Sequence, residues 1–83
     1  MEKVNIVGVT FIFHDNYMEV IDRRGLAGFL FPKKTTVLYR SIASVDANTA
    51  TGKLIIETTG GKNYRYAAGF SAGKVKDKIL SYL

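Results

Sequence analysis

The sequence predicts a mainly β fold, a partly open antiparallel barrel of about seven strands that is capped by one C-terminal helix. Up to residue 69, short segments of alternating apolar and polar residues are separated by turn-forming residues, which is typical of antiparallel strands. Gly60-Gly61 separates two such segments and indicates a hairpin. Over residues 71–83 the apolar spacing becomes helical. Consecutive short strands bury their edges by closing into a barrel or sandwich.

The first half of the chain is expected to supply three or four strands. Residues 4–13 alternate as one continuous strand, in which Gly8 indicates a bulge or a close backbone approach. A turn at residues 14–16 leads into an antiparallel strand over residues 17–22. Residues 29–34 contain Pro32, which predicts an edge strand or a turn, because proline cannot donate to a ladder. Residues 35–39 form the next strand.

The second half is predicted to contain a strand, a hairpin and the helix. Residues 42–47 make the strand, and residues 54–58 and 63–66 make the hairpin. Gly60 and Gly61 are both expected to take positive φ in a tight turn.

The C-terminal helix is predicted over residues 71–83. Ser71 is the expected N-cap, and Phe70 is expected to staple onto Val75. The helix should bury an apolar stripe, because a helix this short is marginal alone. The stripe consists of Val75, Ile79, Tyr82 and Leu83, with Lys74, Asp77 and Lys78 on the surface.

Length and composition indicate one globular domain that spans residues 1–83. The chain is 47% hydrophobic, carries a net charge of +5 and contains no cysteine. Neither a signal peptide nor an apolar run long enough to cross a bilayer is recognisable in the sequence, so a cytoplasmic location is expected. The positive charge favours acidic partners such as nucleic acid, anionic lipid or acidic protein. A net charge of about 2 to 8 is also ordinary for solubility, and this is the favoured interpretation.

Two motifs resemble those of small bacterial pleckstrin-homology-like (PH-like) domains, many of which have unknown functions. The pattern Tyr-x-Ser-Ile-x-x-Val ends one strand, and the pattern Lys-Leu-x-Ile-x-Thr-x-Gly-Gly-Lys builds the hairpin after a glycine. The matching residues are Tyr39, Ser41, Ile42, Val45, Gly52, Lys53, Leu54, Ile56, Thr58, Gly60, Gly61 and Lys62. The resemblance implies seven strands and a C-terminal helix, and a binding or oligomerisation module rather than an enzyme.

The resemblance does not extend to inositol-phosphate binding. Eukaryotic relatives that bind phosphoinositides use a Lys and an Arg-x-Arg across the first hairpin loop. That loop is expected here at His14-Asp15-Asn16, which contains neither Lys nor Arg.

The residues do not indicate catalysis, so no catalytic residue, metal ligand or cofactor site is predicted. His14 is the only histidine, and beside Asp15 it fits turn chemistry better than acid–base chemistry. With no cysteine and no second histidine, a metal site has few ligands. Residues 60–62 and 69–74 contain glycine and lysine but lack the spacing of a phosphate-binding loop.

Two surfaces are candidates for binding anions. The first combines basic residues with an apolar tip and suits an anionic membrane surface. Its basic residues are Arg23, Arg24, Lys33 and Lys34, and its apolar residues are Leu26, Phe29, Leu30 and Phe31. The favoured alternative is that Phe29 and Phe31 face the core while the charges are solvated. The second surface, for single-stranded nucleic acid, combines Tyr64, Arg65 and Tyr66 with Lys53 and Lys62.

The sequence therefore predicts a non-enzymatic binding or self-association module with a protein partner. Peripheral binding to an anionic membrane is the alternative, and nucleic-acid binding is the third hypothesis. A homo-oligomer is expected, because Pro32, Lys33 and Lys34 protect only part of an exposed sheet edge.

Overall fold

The computed structural model describes residues 2–6, 8–24 and 30–83, and within them it contains seven antiparallel strands in two sheets and one C-terminal α-helix. The prediction of a mainly β fold with about seven strands and a terminal helix is confirmed. The first sheet consists, in spatial order, of β1 (Glu2–Ile6), β2 (Val9–Phe13), β3 (Tyr17–Asp22) and β4 (Lys33–Leu38). The second consists of β5 (Ile42–Asn48), β6 (Lys53–Thr58) and β7 (Asn63–Ala67), and α1 (Ala72–Tyr82) follows. The two sheets are not joined into a closed barrel, so the fold is partly open.

The core lies between the two sheets and under the helix. Period-two alternation directs one face of each strand inward, as Phe11 and Phe13 show in β2 and Leu54 and Ile56 in β6. The buried apolar residues are Val9, Phe11, Phe13, Met18, Val20, Val37, Tyr39, Val45, Leu54, Ile56, Tyr66, Ala68, Ala72, Val75 and Ile79.

The prediction of one continuous strand over residues 4–13 was wrong. The chain reverses there, and Ile6 pairs with Val9 across a tight connection. Gly8 takes a φ of +79° in this turn, and a Cβ on it would lie 2.5 Å from Cγ of Arg24. The first hairpin therefore turns between Ile6 and Val9, and residues 14–16 connect β2 to β3. The residues between β1 and β2 are Val and Gly in sequence, so neither connection contains the Lys and Arg-x-Arg pattern of phosphoinositide-binding PH domains.

The hairpin of β6 and β7 has a longer loop than predicted. The amide of Thr58 donates to the carbonyl of Lys62 at 3.0 Å, which leaves three residues in the loop. Gly61 has a φ of +85°, whereas Gly60 does not take positive φ, so that part of the prediction was wrong. A three-residue loop needs a left-handed residue at its last position, and this is where Gly61 stands.

The helix buries most of its predicted stripe. Val75 and Ile79 are fully buried, and Tyr82 is half-buried, while Leu83 is exposed. Tyr82 stacks on Phe13 at a centroid distance of 5.6 Å and on Tyr39 at 5.1 Å. No helix in the described part of the chain is long and apolar enough to cross a membrane.

The start of the helix differs from the prediction. The segment Gly69–Ser71 forms a 3₁₀ turn, in which the amide of Ser71 donates to the carbonyl of Ala68. The Ser71 side chain makes no capping hydrogen bond, so the predicted hydroxyl cap is absent. Phe70 is 98% exposed and does not pack on Val75. The 3₁₀ turn directs Phe70 away from the helix face that a hydrophobic staple would use.

The helix covers one side of the two-sheet sandwich. It packs on β5 and β6, and its C-terminal half binds Glu2 at the start of β1. Lys78 forms an ion pair with Glu2, and the hydroxyl of Tyr82 donates to Glu2 Oε1 at 3.0 Å. The hydrogen bond from Lys78 lowers the pKa of the Glu2 carboxyl. This side of the molecule, where the edges β1 and β5 lie, is therefore closed by α1.

Two glycines in loops are predicted to respond differently to alanine. Gly52 has a φ of +72°, and a Cβ there would lie 2.8 Å from the Gly69 Cα, which is backbone and cannot rotate away. Gly52→Ala is therefore expected to lower the free energy of unfolding by more than about 1 kcal/mol. Gly60→Ala, whose Cβ meets nothing within 4 Å, should stay within about 0.5 kcal/mol of wild type. Urea titration of both variants checks this, and similar midpoints would contradict the tight approach at Gly52.

Candidate functional site

The molecule is open between β4 and β7, away from the contacts of α1 with β5 and β6. β4 ends the first sheet and β7 ends the second, and among the described residues no backbone hydrogen bond joins these two strands. A groove of about 590 Å³ lies between them. We call it the β4–β7 seam, and its lining residues are Asp22, Lys33, Lys34, Thr35, Thr36, Lys62, Asn63, Tyr64, Arg65 and Tyr66.

The register of β4 shows which of its amides face the seam. Tyr39 donates its amide to the carbonyl of Asn16 at 3.2 Å, just beyond the end of the β3–β4 ladder. Hydrogen-bonded positions alternate along an antiparallel strand, so the amides of Thr35 and Val37 also face β3. The amides of Thr36 and Leu38 then face the seam.

The same reasoning applies to β7. Lys62 accepts from the amide of Thr58, and Ala68 donates to the carbonyl of Gly52 at 2.6 Å. Tyr64, which lies between these two bonded positions, therefore directs its amide toward β6. The amide of Arg65 faces the seam. The seam is thus bordered by two strand edges whose backbone donors and acceptors have no backbone partner among the described residues.

The cations of the seam exceed its anions. Lys34 Nζ lies 2.8 Å from Glu19 Oε2, which raises the pKa of this lysine through a hydrogen bond. No ion pair within the described residues involves Lys33, Lys62 or Arg65.

Asp22, the one acidic residue that lines the seam, is already engaged. Its carboxylate accepts from the Arg24 backbone amide at 2.9 Å and from the guanidinium at 3.0 and 3.1 Å. The guanidinium hydrogen bonds lower the pKa of Asp22. The seam therefore offers three cations, Lys33, Lys62 and Arg65, that form no ion pair with a described carboxylate.

The tyrosines of β7 form the floor of the seam rather than an exposed face. Tyr66 is buried edge-on against Phe11, with centroids 5.6 Å apart, and this burial raises its pKa. Tyr64 is half-buried against the core. Arg65 points to the opposite face, and the exposed Lys53 lies on β6 outside the groove. Base stacking needs exposed ring faces, so this geometry does not favour nucleic-acid binding by Tyr64 and Tyr66.

The four basic residues of the predicted membrane surface lie together at the β3–β4 end of the first sheet. Asp22 pairs with Lys33 in the ladder, so Arg23 and Arg24 leave β3 beside the point where Lys33 and Lys34 enter β4. Arg24 forms an ion pair with Asp22, and Lys34 forms one with Glu19.

The apolar part of that surface is only partly described, because Leu26 and Phe29 lie outside the described residues. Leu30 is 64% exposed and Phe31 is 76% exposed. The interpretation that Phe31 faces the core was therefore wrong. Phe31 precedes β4 and is not part of its ladder, so strand alternation does not direct it inward.

His14 has more contacts than a surface turn residue. Its ring stacks on Tyr17 at 4.4 Å, and its Nε2 lies 2.9 Å from Glu19 Oε1. The hydroxyl of Tyr39 donates to the His14 carbonyl at 2.8 Å, and burial raises the pKa of Tyr39 to about 12. These bonds hold the β2–β3 turn against the segment that follows β4. Sequence reasoning missed this role, since Glu19 and Tyr39 become neighbours of His14 only through strand pairing.

A second cleft, of about 820 Å³, lies at this end of the molecule. It is lined by Asp15, Asn16, Leu38, Tyr39, Arg40, Ile42, Tyr82 and Leu83. Across residues 2–6, 8–24 and 30–83, no group of three or more His, Cys, Asp or Glu side chains could hold a metal ion.

Neither protein-family models nor curated proteins match this chain. Its functional assignment therefore rests on its own geometry.

Proposed function

We propose that this chain is a non-enzymatic binding module of the PH-like family, and that it holds another polypeptide in the β4–β7 seam. The observation that carries the proposal is the pair of unpaired strand edges that face each other across an open groove. An exposed edge is a template for pairing with another chain, and strand addition is a common mode of peptide recognition. The order of a four-stranded sheet, a three-stranded sheet and one C-terminal helix supports the proposed assignment to this family.

A different polypeptide suits the seam better than a second copy of the chain. An antiparallel pair of β7 strands centred on Arg65 would place this cation opposite its own copy, and like charges directly opposite are destabilising. An antiparallel pair of β4 strands centred on Lys34 would likewise place this cation opposite its own copy. Self-association, the alternative, would therefore have to overcome charge repulsion at this site.

Site-specific photo-crosslinking in cells that express the chain tests this proposal. A photoreactive residue in place of Thr36 is expected to form an adduct with another polypeptide, because this exposed position lines the seam. The same residue in place of Lys74, which is exposed on α1, is the control and should form no such adduct.

An adduct of twice the mass of the chain, together with a dimer mass in light scattering, would instead establish self-association. Equal labelling from both positions, or none from either, would contradict binding at the seam.

An anionic membrane surface is the second candidate partner, and the exposure of Leu30 and Phe31 beside Arg23 and Lys33 favours it. Apolar side chains that insert at the headgroup level and nearby cations that attract anionic lipids act together in peripheral binding. The tip and the seam would serve different partners, although both include Lys33.

Vesicle co-sedimentation tests this second candidate. The chain is expected to sediment with vesicles that contain phosphatidylserine and not with neutral ones, and Phe31→Ala should reduce the bound fraction. The control is Leu80→Ala, which removes an exposed apolar side chain on α1. An equal loss of bound fraction in both variants, or equal binding to neutral vesicles, would argue against membrane binding by the tip.

A further inference from the structure

The β4–β7 seam has the chemistry of a site for one kind of polypeptide. Its free backbone groups can pair with an extended segment, because β4 offers the amides of Thr36 and Leu38 on the side away from β3. Strand addition satisfies such groups whatever the sequence of the added segment. The side chains around the seam must therefore select the partner.

Those side chains select for negative charge. Lys62 and Arg65 border the groove on the β7 side and Lys33 borders it on the β4 side, without an ion-pair partner in the described parts of the chain. Residues of an added strand alternate between two faces. Acidic residues on the outer face would lie near Lys62 and Arg65, while small or apolar residues on the inner face would lie over Tyr64.

We infer that the β4–β7 seam takes an acidic extended segment of a partner protein, which adds as a strand to the free edge of β4. This inference rests on the proposed function and names the class of partner. It depends on two features of the seam, its cations and its free strand edge, and a nucleic acid would match only the first. The cations attract any polyanion, but the alternating donors and acceptors of β4 match only a peptide backbone.

The direct test is a binding titration of the full chain with a capped octapeptide of four Thr-Glu repeats, followed by fluorescence anisotropy and by amide chemical shifts. Binding is expected, with shifts at Thr36 and Arg65. An octapeptide of Thr-Lys repeats controls for charge. A third peptide, N-methylated on every backbone amide, keeps the charge but removes the backbone donors, including those that would face β4. Both control peptides should bind at least about tenfold more weakly.

Two charge-reversal variants separate the seam from the overall charge of the chain. Lys62→Glu/Arg65→Glu is expected to weaken binding of the Thr-Glu peptide by about tenfold, since two attractive contacts become repulsive. Lys74→Glu/Lys76→Glu changes the net charge equally, but on α1, and should stay within about twofold of wild type. Thermal melting of both variants verifies that they are folded.

Each alternative result overturns the inference in an identifiable way. Equal losses in the two variants would mean that net charge alone attracts the peptide. Tight binding of the N-methylated peptide would mean that no strand is added. A single-stranded oligonucleotide of equal charge that binds more tightly would identify nucleic acid as the partner. If Thr36 crosslinks to a polypeptide but no Thr-Glu peptide binds, the proposed function stands and the inference of an acidic segment fails.

Discussion

Replacing Ile79 with alanine is expected to lower the free energy of unfolding by about 2–5 kcal/mol. Ile79 is fully buried where α1 packs on β5 and β6. The alanine would lose the transfer free energy of the removed methyl and methylene groups and would leave a cavity under the helix. An 11-residue helix gains little stability by itself, so its attachment depends on this burial. The expected loss is a large share of the ~5–15 kcal/mol that stabilises a typical domain.

The matched control on the same helix is Lys74→Ala. Lys74 is exposed, so its replacement should change the free energy of unfolding by no more than about 0.5 kcal/mol. Lys78 is a less suitable control than the sequence suggested, because it is half-buried and forms an ion pair with Glu2. Denaturant titration measures both variants. If they unfold at the same midpoint, α1 does not cap the core and would be available to a partner.

Phe11→Ala is expected to be at least as damaging, with a loss of about 3–5 kcal/mol. Phe11 lies on the inner face of β2 with no exposed surface, and its ring meets Tyr66 of β7 edge-on. This contact joins the two sheets next to the seam. Edge-to-face pairs contribute about 0.5–1.5 kcal/mol beyond the area they bury.

The control for Phe11 is its neighbour Ile12. Ile12 is half-buried on the outer face of the same strand, so Ile12→Ala should cost only about 1 kcal/mol. Denaturant titration and thermal melting should rank the two variants in this order. The reverse order would mean that β2 presents its other face to the core.

Local patterns were sufficient to predict most of the strands and the helix, but not the division of the first strand into β1 and β2. Alternation over residues 4–13 places Val9, Phe11 and Phe13 on one face of the strand, and the structure buries that face. Alternation could not reveal the turn at Gly8, since the apolar period continues through it and only the positive φ of Gly8 breaks the strand. The exposure of Phe70 was also unpredictable, because it depends on the 3₁₀ turn before the helix.

The candidate site was harder to predict than the fold. The sequence identified basic residues such as Lys33 and Lys34, but it grouped them with Arg23 and Arg24 around one loop. Their position opposite residues 62–66 of the second sheet follows from packing between sheets that are far apart in sequence. The imbalance of charge is likewise a tertiary property, since Glu19 and Asp22 engage Lys34 and Arg24 and leave Lys33 without an ion pair among the described residues.

Amide hydrogen exchange of the unbound chain, followed residue by residue by NMR, tests most directly whether the β4–β7 seam is open. The amides of Val37 and Tyr64 face neighbouring strands and should be strongly protected, whereas those of Thr36 and Arg65 face the seam and should exchange rapidly. Addition of the Thr-Glu octapeptide should slow exchange at Thr36. If Thr36 and Arg65 are as protected as Val37 and Tyr64 in the unbound monomer, the two edges are already paired and the seam cannot receive a strand.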